Sequence, residues 1–93
     1  MVNNKILKIR KKLDQLDNSF LGIIKKRTLL VNEVLKNKKY KKDIIDKKRI
    51  SKILKKIKIK SVKMKIDPKI TNKIWVNMIR AYIDYEYRNF KKK

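Results

Sequence analysis

The sequence contains no cysteine and no histidine, which excludes several kinds of chemistry. Disulfides, thiolate nucleophiles, Ser-His or Cys-His catalytic pairs and zinc sites of the usual kind all lack their residues. With one glycine and one proline in 93 residues, a turn-rich all-β fold and a flexible linker are excluded as well. We therefore expect one all-α domain over residues 1–93, with chemistry limited to Lys, Arg, Asp, Glu, Tyr or Ser.

Acidic residues are also scarce: Lys+Arg number 30 and Asp+Glu number 8, for a net charge of +22. Such an excess favours anionic partners, but it does not choose between polymers, membranes and small carboxylates or phosphates. Lysine is far commoner than arginine, and an AT-rich coding sequence produces the same bias. The arginines are more informative, because a guanidinium binds a carboxylate with two parallel hydrogen bonds.

Long apolar runs are absent. No stretch has the length of a signal peptide or a transmembrane helix, so we expect a cytoplasmic protein that does not insert into membranes.

The apolar residues from Ile6 to Val34 recur every three or four positions, which predicts one long helix over about residues 4–39. Gly22 inside it costs only about 1 kcal/mol relative to alanine. At about 1.5 Å per residue this helix is on the order of 50 Å long, whereas a compact chain of this size has a radius of gyration of about 12 Å. Its apolar stripe needs a partner, and we expect a homodimer.

Two further helices are predicted. The segment from Lys38 to Asp46 is polar and has no periodic pattern, which indicates a connection ending in an N-cap at Asp46. A short helix over about 46–60 follows. Lys alternates with Ile, Val or Met over 56–66, which also fits a strand, but no second strand is available to pair with it. Asp67-Pro68 predicts the start of a third helix over about 68–90. We expect its inner face to contain the following residues: Ile70, Ile74, Met78, Ala81 or Tyr82, and Tyr85.

Polar residues interrupt these apolar stripes at informative positions. Arg27 falls in the register of Phe20 and Val34, where an aliphatic side chain is expected. Lys38 follows on the same face, roughly 16 Å further along the helix. The two cations could bind one small dianion; alternatively, Arg27 pairs with a buried carboxylate and Lys38 only extends to solvent.

Arg10 and Glu86 raise similar questions. Arg10 precedes Arg27 by about 25 Å of helix, so both can serve one small ligand only if Arg10 comes from the other subunit. Glu86, one turn after Tyr82, is either a salt-bridge partner or a working group, and spacing alone favours the salt bridge.

These residues belong to a set of motifs. The segment IRKKLDQLD at 9–17 is similar to an I-R-x-x-I-D-x-I-D opening, Arg27 and Lys38 follow at matching spacing, and DKKR at 46–49 matches D-x-x-R. Together with the closing helix over 74–86, they resemble the all-helical, AroQ-type chorismate mutases across essentially the whole chain. The resemblance implies three helices (long, short and medium) in an intertwined homodimer. It also implies conversion of chorismate to prephenate without metal or cofactor.

The resemblance further implies a role for each residue. Arg27 and Arg10 of the partner subunit would bind the two carboxylates of chorismate, and Lys38 would donate to the ether oxygen and to a carboxylate. The remaining implied roles are support of the site by Arg49, contact with the ring hydroxyl by Asp46, and lining of the carboxylate pocket by Tyr82.

The sequence departs from the family pattern at two of these positions. Many members have Gln where Glu86 stands, and an ionised glutamate cannot donate to the ether oxygen. Our hypothesis is that Glu86 acts protonated, so activity should fall as pH rises. Ile50 stands where many mutases have a glutamate that binds the ring hydroxyl.

Two alternatives remain open. Ile50 and the Tyr82-Ile83 pair also resemble the isochorismate pyruvate-lyases, which form salicylate, although these usually keep Gln at the Glu86 position. A basic helical dimer on nucleic acid would explain the +22 charge but not the register of Arg27. We therefore expect chorismate as the ligand and no specific nucleic acid.

Overall fold

The chain is all-helical in a computed structural model that describes residues 3–91. In chain order the elements are α1 (Asn4–Lys36), a 3-10 turn (Lys41–Ile44), α2 (Lys47–Lys63) and α3 (Pro68–Asn89). The prediction of three helices, long, short and medium, is confirmed. The strand alternative for 56–66 is wrong, because α2 continues to Lys63. No helix within residues 3–91 combines the length and apolar character needed to cross a bilayer.

Contacts divide the chain into two compact units, of which the N-terminal one ends at Glu33 and the C-terminal one begins at Val34. The described part of the N-terminal unit is almost entirely α1, and none of its described residues is buried. A single amphipathic helix cannot cover its own apolar stripe. The stripe is therefore exposed, at Ile6, Ile9, Leu13, Leu16, Phe20, Ile23, Ile24 and Leu30.

The C-terminal unit begins with the last residues of α1, which ends at Lys36 rather than near 39. The amide of Lys38 donates to the carbonyl of Leu35 at 3.1 Å, which closes the final turn. The next segment is more ordered than its polar composition suggested, because a 3-10 turn there contacts α3. Ile44 explains this difference: it is only 4% exposed and anchors the turn.

Helices α2 and α3 form an antiparallel hairpin. The predicted stripe on α2 is confirmed, since Ile50, Ile53, Leu54 and Ile57 are all half-buried. Ser61 continues this stripe and is buried. Its hydroxyl donates to the carbonyl of Ile57 at 2.6 Å.

The hydroxyl of Thr71, on α3, lies 2.7 Å from that of Ser61. The Thr71 hydroxyl also lies 3.3 Å from the carbonyl oxygen of Pro68. Each hydroxyl has one proton to give and can accept as well, so both buried groups have hydrogen-bond partners.

The ends of the hairpin helices follow their capping residues. Asp46 accepts a hydrogen bond from the amide of Arg49 at 3.0 Å, and Asp67 accepts one from the amide of Lys69 at 2.9 Å. Both predicted N-caps are therefore confirmed.

At the other end of α2, Lys65 has a φ of 57°. Its amide donates to the carbonyl of Val62, and the amide of Ile66 donates to that of Ser61. This is a Schellman motif with lysine at the position that usually holds glycine.

The inner face of α3 agrees with the prediction in part: Met78, Tyr82 and Tyr85 are half-buried as expected, but other positions differ. Ile70 and Ile74 are 56% and 40% exposed, whereas Thr71 and Glu86 are buried. The prediction placed apolar residues on the inner face. Thr71 can be buried there because its hydroxyl forms a hydrogen bond with that of Ser61.

Candidate active site

Among the described residues of the C-terminal unit, one ion pair is largely buried. Lys38 Nζ donates to Glu86 Oε1 at 3.0 Å, and the two side chains are 19% and 10% exposed. Lys38 lies two residues past the end of α1, where its backbone is fixed by the hydrogen bond to Leu35. Glu86 lies in the last turn of α3. The pair therefore joins the end of α1 to the end of α3.

Glu86 is the one charged residue that is buried within the described part of the chain. A carboxylate removed from water is costly unless a cation and hydrogen bonds replace the lost solvation. Lys38 supplies that cation. A fifth of the Lys38 side chain is still exposed, so the ion pair lies close to the surface.

The start of α2 lies near the same end of the hairpin. Ser61 and Thr71 are in contact near the connection, and Arg49 lies twelve residues before Ser61 while Ile83 lies twelve after Thr71. In antiparallel helices both positions are on the order of 18 Å from that contact. The N-terminal end of α2 and the last two turns of α3 therefore lie at one level, so Arg49 and Ile50 share the level of Tyr82.

Each of these residues has a defined setting. One oxygen of Asp46 is occupied by the helix cap, and the Arg49 side chain is exposed. Ile50 is half-buried in the α2 stripe. The Tyr82 ring meets the Tyr85 ring edge to face at 6.4 Å between centroids.

The 3-10 turn is held at this end of α3 as well. The ammonium of Lys41 lies 5.8 Å from the centroid of the Tyr87 ring, a cation-π distance. This contact and the buried Ile44 keep the segment between Lys38 and Asp46 against the last turns of α3.

The predicted site residues fall into two groups. The C-terminal unit holds Lys38, Asp46, Arg49, Ile50, Tyr82 and Glu86, and it brings Lys38 and Glu86 into direct contact. Arg10 and Arg27 belong to the N-terminal unit, where both are exposed. Arg27 was expected at a bundle interior, but in the single chain it is as exposed as the apolar residues of its register.

Sequence reasoning missed two features of this region. It considered Lys38 with Arg27 and left the partner of Glu86 unnamed, whereas the structure pairs Lys38 with Glu86 over 48 residues of sequence. It also treated 38–46 as a plain polar connection. The adjacent isoleucines Ile44 and Ile45 were the available signal for an anchored turn.

The arrangement suits the binding of an organic anion. A carboxylate that reached Lys38 would compete with Glu86 for its ammonium. The site thus offers a cation and a carboxyl group side by side, and neither needs a metal or a thiol to act.

Comparison with known families agrees with this chemistry. The family described as chorismate mutase type II matches residues 9–87, which include every predicted site residue. A search of curated proteins finds no match, and neither does a search of solved structures. The match favours isomerisation of chorismate over the lyase and nucleic-acid alternatives. Since it covers most of the 93 residues, the chain belongs to the chorismate mutase type II family and is an isomerase of chorismate.

Proposed function

We propose that this chain rearranges chorismate to prephenate in active sites shared between the two subunits of a homodimer, in aromatic amino acid biosynthesis in the cytoplasm. The observation that carries the assignment of the site is the buried pair of Lys38 and Glu86. It places a cation and a potential acid together at the end of the hairpin where Asp46, Arg49, Ile50 and Tyr82 also lie.

The reaction is intramolecular: the ether C–O bond breaks and a C–C bond forms, so no group enters or leaves. The protein contributes by holding the dianion in its reactive conformer and by stabilising negative charge on the ether oxygen. Arg27 and Arg10 of the partner subunit bind the two carboxylates as bidentate partners. Lys38 donates to the ether oxygen and to one carboxylate.

Glu86 takes part in its protonated form. In the free site Lys38 neutralises it, but bound chorismate draws the ammonium toward a carboxylate. Glu86 then no longer has its counter-ion, and in the proposed mechanism it acts as the carboxylic acid. The resulting carboxylic acid donates to the ether oxygen, in place of the amide of a glutamine.

The remaining residues shape the pocket. Arg49 adds positive charge beside the ligand, and Tyr82 lines the carboxylate side. Asp46 keeps one oxygen free of the cap bond and accepts from the ring hydroxyl. Ile50 offers only apolar surface, so recognition of that hydroxyl falls to Asp46 or backbone.

The homodimer is supported by the exposed stripe of α1. Leu13, Leu16 and Phe20 are 52%, 65% and 45% exposed in the single chain, and their neighbours in the stripe are similar. Exposed apolar surface of this extent is rare in monomers. A second copy covers the stripe by presenting the same surface about a twofold axis. The dimer also brings in the second arginine that the dianion needs.

The test is an assay of the purified protein with chorismate and isochorismate offered separately. We expect prephenate from chorismate and neither salicylate nor pyruvate from isochorismate. Arg27→Ala should lower kcat/KM by about 100-fold or more, since loss of one such anion contact costs about 3 kcal/mol. Arg80→Ala, at an exposed position on α3, is the matched control and should leave turnover unchanged. Salicylate formation would instead establish the lyase.

A further inference from the structure

Helix α2 differs from the other helices in the sign of its charges. Its 17 residues include eight lysines and one arginine but no acidic residue. By contrast, α1 contains Asp14, Asp17 and Glu33, and α3 contains Asp84 and Glu86, both of which form ion pairs. A lysine-rich composition affects the whole chain, but the uncompensated charge is concentrated on α2.

Five of the eight lysines of α2 lie on the side away from α3. The stripe from Ile50 to Ser61 packs toward α3, and with 3.6 residues per turn the opposite side is formed by a different set. We call this set the lysine face. It consists of Lys48, Lys52, Lys55, Lys56 and Lys63 around Ile59. The five lysines are exposed, Ile59 is 50% exposed, and most of the set lines one surface depression.

Nothing in the described residues neutralises this face. Lys48, Lys52 and Lys56 follow one another at intervals of four residues, and Lys52 and Lys55 are three apart. Like charges at these spacings repel and destabilise a helix. The ion pairs found within residues 3–91 involve α3 and Lys38 but no cation of α2. A bound polyanion would relieve the repulsion, which makes the lysine face a favourable anion-binding surface.

We propose that the lysine face binds a linear chain of phosphates, recognised by its charge and without base contacts. The lysines recur about once per helical turn, over roughly 22 Å from Lys48 to Lys63, so they fit an anion that repeats along its length. The face has no aromatic residue for base stacking and no arginine for base edges.

Other partners fit the face less well. Insertion into a membrane surface requires an apolar helix face, and the apolar side of α2 already packs on α3. Protein interfaces are depleted of lysine at their centres. Two polyanions share the favoured chemistry, and we commit to the backbone of a nucleic acid duplex, because its one negative charge per about 1.7 Å of axis supplies phosphates along the whole length of the face. Inorganic polyphosphate is the competitor that the experiment separates from it.

The experiment compares two variants that each remove four positive charges. The first replaces Lys48, Lys52, Lys55 and Lys63 by glutamine, and the control replaces Lys8, Lys12, Lys69 and Lys73, which are exposed on α1 and α3. Binding of a labelled duplex of about 24 base pairs and of long-chain polyphosphate is followed by anisotropy or competition over a range of salt concentrations. For the duplex, the slope of log K against log salt should become shallower by about 3 to 4 in the first variant, because each phosphate that a lysine neutralises contributes about 0.9 to that slope. In the control it should change by less than about 1.

Several outcomes would overturn the proposal: an equal decrease of slope in both variants, no binding by the unmodified protein at about 0.1 M salt, or equally tight binding of poly-glutamate. If the first variant loses binding of the duplex but keeps binding of polyphosphate, the face binds the duplex backbone. If it loses binding of polyphosphate but keeps binding of the duplex, the face binds polyphosphate instead. Circular dichroism and chorismate turnover should be unchanged in the first variant, because none of its residues belongs to the candidate active site. A failure of the proposed enzymatic function is therefore distinguishable from a failure of this proposal.

Discussion

The two units of the chain both contain amphipathic helices but differ in what they can bury. The N-terminal unit is a single helix whose apolar stripe stays exposed, with Leu16 at 65%. The C-terminal unit pairs Ser61 with Thr71 and Lys38 with Glu86, and it buries Ile44. An amphipathic pattern thus guarantees a helix but not an interior. An interior requires a second element, which the hairpin has within its own unit and which the N-terminal unit, taken by itself, lacks.

The largest effect is expected from a charge placed in the exposed stripe. Leu13→Lys should weaken the dimer by at least 100-fold and abolish turnover, because burying an unpaired ammonium costs on the order of 3 kcal/mol or more per interface. Sedimentation at several concentrations measures this. The matched control is Leu29→Lys, on the opposite side of α1 and 57% exposed, which should stay dimeric. If both variants behave alike, the stripe is not the interface.

The next effect concerns the ion pair of the C-terminal unit. Lys38→Met leaves Glu86 buried without a counter-ion, and we expect a loss of about 3 kcal/mol in the free energy of unfolding. Adding Glu86→Leu should recover most of that stability but none of the activity. Urea unfolding of the single and double variants checks the first part and chorismate turnover the second. Stability that does not recover would mean that the pair is not the source of the loss.

The pH dependence tests the protonation of Glu86. If the acid is the active form, as proposed, turnover should decrease as pH rises and by tenfold per unit once Glu86 is fully ionised in the complex. Glu86→Gln keeps a hydrogen-bond donor at every pH and should flatten the profile. Rates measured over the range in which circular dichroism shows an intact fold provide the check. A flat profile in the unmodified protein would contradict the hypothesis.

The smallest effect concerns the end of α2. Lys65 adopts a left-handed conformation that costs a non-glycine residue about 1 kcal/mol, so Lys65→Gly should raise the free energy of unfolding by about that amount. The control Lys52→Gly, at an exposed position inside α2, should lower it by a similar amount. Thermal unfolding of both variants distinguishes the two signs, and a loss of stability with Lys65→Gly would contradict the argument.

Much of the fold followed from local signals. The periodicity of apolar residues placed three helices, and Asp46, Asp67 and Pro68 placed two helix starts to within a residue. Helix ends were less accurate, since α1 stops three residues early and α2 runs three residues longer than predicted. A helix ends where its last carbonyl groups accept hydrogen bonds from a following turn, as in the turn at Lys65. A lysine at that position does not predict such a turn.

The candidate site shows which features can be predicted from the sequence and which require the structure. The helices, the excess of positive charge and the order of motifs that marks the chorismate mutase type II family can all be read from the linear sequence, because a helix depends on residues a few positions apart and the other two are properties of the sequence itself. The pairing of Lys38 with Glu86, the inward position of Thr71 rather than Ile70 and the anchoring of a turn by Ile44 follow only from the fold. Each of these depends on a contact between segments that are distant in the chain, and such contacts are set by the packing of other segments against α3 and not by local periodicity.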